Sequence, residues 1–133
     1  MRRSLAVESS TAKISEIVSE FLSEYRAGPS GTFHHYQVQL ERWFLPYAEQ
    51  AGIETLDQVT PAFLRGWLQH EAETPFLQGN ILKRRKQSTL AMRRQAVERL
   101  FNWCILQDYA VANPLMKVRR APKGDAARIG FTR

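Results

Sequence analysis

A single cysteine, Cys104, stands in the 133 residues, so no internal disulfide can form. It lies on the apolar side of a helical pattern, where a free thiol behaves as a small hydrophobe. No apolar run approaches the roughly 18 to 20 residues of a membrane span. The opening MRRSLAVESSTAK also lacks the apolar segment of about 7 to 15 residues found in a signal peptide. Both gaps point to a cytoplasmic protein. Histidine is scarce too: His34 and His35 are adjacent, and His70 has no partner three or four residues away, so no metal set of helical spacing is expected. There is no clustered His, Cys or carboxylate set, no Gly-rich phosphate loop and no nucleophile elbow. A metal-dependent or nucleophilic enzyme is therefore disfavoured, and no cofactor and no small-molecule substrate are expected.

What is present is an ordinary globular composition, 44% hydrophobic and 24% charged, in a chain long enough for one domain with a core of its own. The net charge is +6. By segment it runs 0 over residues 1–40, −4 over 41–81, +6 over 82–107 and +4 over 108–133. All the basicity thus sits in the last 52 residues, a bias that favours an anionic polymer as partner over mere solubility.

Taken in order, the first dozen residues lack periodicity and read as a frayed terminus. From Ala12, residues Ile14, Ile17, Val18, Phe21, Leu22 and Tyr25 share one face of a first helix, with acidic residues opposite and a stop at Gly28-Pro29. A second helix opens with Ser30 or Thr32 as N-cap and buries Phe33, Tyr36, Leu40, Trp43, Phe44 and Tyr47. Pro46 should kink or end it. A third helix starts at Val59-Thr60-Pro61, with Thr60 as cap, Pro61 at the first helical position and Val59 placed to staple onto Leu64; it stops at Thr74-Pro75. Phe76 to Leu82, with Gly79-Asn80, is a loop or short hairpin. The fourth helix runs to about Gln107 with Ser88-Thr89 at its start, and Asn113-Pro114 begins a turn or one further short helix. The tail RRAPKGDAARIGFTR reads as a basic linker.

The stretch Leu82 to Leu106 organises the rest. Its front half carries Lys83, Arg84, Arg85, Lys86, Arg93 and Arg94 with no acid, and its back half repeats Val97, Leu100, Phe101, Cys104 and Ile105 as a buried stripe. At about 100° per residue, Arg93 and Arg94 fall in the same arc as that stripe. The helix is expected to leave the core at its N-terminal half and present its cations to an anion such as nucleic acid. The other reading is a solvated basic face whose arginines lie over apolar neighbours.

These residues, in this order, resemble the N-terminal core-binding, SAM-like domain of tyrosine recombinases and phage integrases, over roughly residues 14–123. The resemblance rests on Phe21-Leu22; on Thr32, Tyr36, Leu40 and Phe44; on Gly52, Leu56 and Val59-Thr60; on Ser88-Thr89 with Leu100, Phe101 and Trp103; and on Asn113-Pro114. It implies an all-α, four- to five-helix orthogonal bundle that covers one face of double-stranded DNA, its second and fourth helices toward the major groove. Carried over by position, the DNA-binding candidates are Thr32, His34, His35, Gln39 and Arg42 on the second helix. Around the start of the fourth they are Lys83, Arg84, Arg85, Lys86, Gln87, Ser88, Thr89, Arg93 and Arg94. Family members also associate with one another on DNA through outer helices, which would suit the acidic first helix.

In this family the strand-cleaving tyrosine belongs to a separate C-terminal domain, and ARIGFTR resembles the point where one would begin. The expected division is a flexible N-terminus (1–12), a helical core-binding domain (13–118) and a basic linker (119–133). The domain itself is not expected to cut DNA; it would be nucleoid-associated when bound. The alternative is a helical protein-interaction module whose basic patch docks an acidic partner, because a fold of this kind does not decide its partner.

Overall fold

A computed structural model describes residues 11–118, and within them four helices follow largely from local chemistry. Helix α1 (Ile14–Ser23) buries Ile14, Ile17, Val18, Phe21 and Leu22, the face that the periodicity marks. It ends well before Gly28. Ser23 Oγ donates to Glu20 O at 2.6 Å, a side-chain bond that competes with the backbone ladder. The chain then continues in turns closed by Tyr25 N to Leu22 O and Gly28 N to Tyr25 O. The start of α1 is tied to the loop ahead of the third helix: Ile14 N donates to Glu54 O and Leu56 N to Ala12 O.

Helix α2 runs in three consecutive segments, Ser30–Gln37, a π segment Val38–Phe44, and Leu45–Gln50. Its cap differs from expectation: neither Ser30 nor Thr32 caps it. Pro29 occupies the N-cap position, and its carbonyl accepts from Thr32 N and Phe33 N. Pro46 neither ends nor breaks the helix. A proline leaves the carbonyl four residues earlier without its donor, and here the wider hydrogen-bond register absorbs the defect, Leu45 N reaching back five residues to Leu40 O. Such π segments sit inside α-helices as local adjustments.

Helix α3 (Pro61–Glu73) starts as its sequence dictates, Thr60 Oγ1 accepting from Phe63 N at 3.1 Å. Thr74, before Pro75, is extended. A hairpin follows, β1 (Phe76–Gln78) antiparallel to β2 (Ile81–Lys83), pairing Phe76 with Lys83, Leu77 with Leu82 and Gln78 with Ile81. Its two-residue turn places Gly79 at φ 65°, the sign a type II′ turn needs at its first central residue.

Helix α4 (Gln87–Leu106) carries Ser88 and Thr89 in its first turn. It closes in a Schellman arrangement, Asp108 N bonding Ile105 O and Tyr109 N bonding Cys104 O, with Asp108 in the left-handed region at φ 63°. Asn113 then caps a 3₁₀ turn (Pro114–Lys117) through its side chain. The same side chain donates back to Glu98 O and Asn102 Oδ1 on α4.

The four helices meet in one core. Trp67, Phe21, Phe44 and Phe101 are its largest fully buried side chains. Edge-on ring pairs join the elements: Phe21 with Trp103 at 5.6 Å across α1 and α4, and Phe44 with Trp67 at 5.1 Å across α2 and α3. Cys104 is fully buried, and burial pushes its thiol up to about 12. Among the described residues no helix is long and apolar enough to cross a membrane. The expected terminus at residues 1–10 and the basic tail at 119–133 lie outside the described residues.

Candidate nucleic-acid interface

The π segment of α2 packs against α4, and that contact gathers the arginines of two distant stretches around one ring. Trp43, half-buried, has the guanidinium carbon of Arg93 4.0 Å from its ring centroid, that of Arg85 at 5.0 Å and that of Arg42 at 5.4 Å. Cations over an indole face are attracted by its quadrupole. Arg85 also reaches the Phe76 ring and donates to Glu71 O and Thr74 O. It thereby fastens the base of the hairpin to the C-terminal end of α3.

Arg93 does not stand outside the core. It is 5% exposed and pairs with Glu71, itself 4% exposed, through a direct hydrogen bond from Nη1 to Oε1. Burial lowers the pKa of its guanidinium; the carboxylate and hydrogen bond of Glu71 work against that fall, and Arg85 and Arg42 add to it as like charges. His70 Nδ1 lies 3.3 Å from the other oxygen of Glu71. Arg94 is turned toward the 3₁₀ segment, its Nη2 donating to Leu115 O at 3.2 Å and Val118 O at 2.7 Å.

The expectation that α4 offers Arg93 and Arg94 to a ligand is therefore corrected. The wheel placed both on the core side, but it could not show that α3 supplies a carboxylate at the same level. Glu71 was missed, although a signal existed: Leu64, Trp67, Leu68 and Glu71 follow i, i+3, i+4, i+7 spacing, so the stripe that buries the tryptophan also buries the acid.

The other candidates separate by exposure. Thr32, His34, Arg42, Lys83, Arg84, Lys86, Gln87 and Ser88 are exposed; His35, Arg85 and Thr89 are half-buried. Gln39 is only 7% exposed, which takes its amide away from any surface ligand and corrects its place among the candidates. Lys83, Arg84 and Lys86 form one basic shoulder where the hairpin runs into α4, and they make no ion pair with a described residue. No side chain caps the N-terminus of α4, so its first N–H groups face the same shoulder and favour negative charge there. Thr32 and His34 lie two to three turns further along α2 from Arg42, and no described contact links them to the shoulder.

Residues 18–108 match the family model of the phage integrase N-terminal SAM-like domain. The chain belongs to that family. The matched region runs from within α1 to the end of α4, so all four helices contribute to it. The integrase SAM-like domain is the N-terminal, non-catalytic part of such enzymes, which makes this chain a recombinase-associated module. No curated protein and no solved structure matches the chain.

Proposed function

We propose that the integrase SAM-like domain grips double-stranded DNA with the exposed side of α2 and with the basic shoulder leading into α4. Lys83, Arg84, Lys86 and Arg42 neutralise phosphates, and the open N-terminus of α4 receives another with Gln87 and Ser88 beside it. Thr32 and His34 extend the contact along α2. The observation that carries the reading is the shoulder itself. Three exposed cations stand together with no described carboxylate paired to them, while Arg93 nearby is paired with Glu71 inside the fold. Self-association on DNA through outer helices belongs to the same proposal, as does a role in integrase-type strand exchange by a longer parent protein.

Titration of a labelled duplex at several salt concentrations tests it. Four neutralised phosphates give a slope of log K against log salt of roughly −3 to −4. The stoichiometry of the same titration reads self-association. A flat salt response, or binding to an acidic protein with none to duplex, overturns the reading in favour of a protein-docking module.

A further inference from the structure

All four large apolar side chains of the Phe76–Lys83 hairpin are exposed. Leu77, Leu82 and Ile81 are 67%, 65% and 61% exposed, although a small soluble domain gains nothing for its own stability by holding three large apolar side chains in water. The register separates them, with Leu77 and Leu82 on one face and Ile81 beside Gln78 at the end of the other. Leu77 and Leu82 form a cross-strand pair, whereas Phe76 and Lys83 point to the opposite face, where Phe76 lies under the Arg85 guanidinium. One face of the hairpin is thus anchored to the bundle and the other is turned outward. Gln78, Asn80 and Ile81 form its tip, all exposed.

Charge says what covers this element. No acid occurs between Pro75 and Val97, and the hairpin descends directly into Lys83, Arg84 and Lys86. Two copies meeting hairpin to hairpin would bring two such cationic shoulders together. A polyanion suits the element instead, and its dimensions fit one. Three-residue strands reach about 10 Å, and the major groove is about 12 Å wide, about 8.5 Å deep and admits a two-stranded ribbon. The side chains fit as well: carboxamides such as Gln78 and Asn80 match the N6 and N7 edge of adenine, and apolar groups meet the thymine methyl.

We infer that the Phe76–Lys83 hairpin is a second DNA-reading element, which enters the major groove beside the phosphate-binding shoulder and selects A·T pairs. The carboxamides of the tip address adenine, and the Leu77–Leu82 pair covers the thymine methyls. This rests on the DNA-binding reading above, but it fails separately from it.

The experiment compares three duplexes of equal length at one salt concentration: alternating d(AT), alternating d(AU), which lacks only the thymine methyls, and alternating d(GC). The domain binds d(AT) roughly tenfold or more above d(GC). It binds d(AU) more weakly than d(AT), by about fourfold for each methyl covered. The variant Leu77→Ser/Leu82→Ser, altered only at exposed positions, keeps the salt slope and loses the distinction between d(AT) and d(AU). Equal affinity of the unaltered domain for d(AT) and d(AU) overturns the inference and leaves the phosphate-binding reading standing. Failure to bind any duplex overturns both. A variant that changes the sedimentation of the free protein but not its DNA preference also overturns the inference, assigning the hairpin to a second copy.

Discussion

Lys83 and Arg84 stand ten residues before Arg93 and Arg94, and in sequence the four belong to one basic run. Folding sends the two pairs to different fates. Arg93 is enclosed by Glu71 and Trp43, and Arg94 holds the carbonyls of the 3₁₀ turn; both serve the monomer. Lys83 and Arg84 remain in solvent beside Lys86. A run of like charge is thus two things at once, and burial decides which half is available to a partner. The break falls inside α4, where its face first meets α3.

The sharpest way to break the comparison is to remove the counter-charge. Glu71→Ala leaves a buried guanidinium uncompensated and should destabilise the fold by about 3 to 5 kcal/mol, read from urea denaturation. Replacing both partners, Glu71→Leu with Arg93→Met, should return stability to near that of the unaltered protein, because apolar isosteres of a buried pair are often neutral or better. If the double change proves as damaging as the single one, the pair is more than a charge balance.

The opposite half of the run should behave in reverse. Lys83→Ala, Arg84→Ala and Lys86→Ala together should leave stability within about 0.5 kcal/mol for each change while making the salt slope of DNA binding shallower by about 2 to 3. Substitution of local caps gives smaller, intermediate effects. Thr60→Ala removes the acceptor of Phe63 N and should cost about 1 kcal/mol, measured by the same denaturation.

The smallest effect is one of pH. Tyr109 Oη donates to Glu20 Oε1 at 2.6 Å, and that hydrogen bond, followed by burial and the carboxylate charge, raises its pKa from 10.0 to about 12. A folded-state pKa above the unfolded one stabilises fully below pH 10 and fades as pH rises toward 12. Tyr109→Phe should therefore lower the melting temperature slightly at neutral pH, with the gap closing in alkaline buffer. A gap that widens there refutes the assignment.

How far the sequence could be read depended on how local the deciding chemistry was. The start of α3 is written in three adjacent residues, Val59-Thr60-Pro61, and the structure follows them. The Gly79-Asn80 turn is equally local, although composition alone left loop and hairpin open. Gly28-Pro29 marks where the turns after α1 stop, not where the α-helix does, because from Glu24 to Gly28 the chain tightens into three-residue turns that apolar periodicity cannot tell from helix. Pro46 announces a disturbance in α2, but the π segment that accommodates it, packed against α4, is not written in any local motif. Arg93 was misplaced because its partner stands 22 residues away on another helix. Gln39 was lost to burial for the same kind of reason: a polar side chain on a helix wheel looks solvent-facing until the neighbouring helix is in place.

The Arg94 guanidinium holds both Leu115 and Val118 by their carbonyls, and Asn113 is secured to α4 at Glu98 and Asn102. Four side-chain hydrogen bonds thus pin residues 113–118 to the flank of α4, the helix whose opposite end adjoins the basic shoulder. The last described turn cannot shift against that rod without breaking them, so it moves with α4 as one piece.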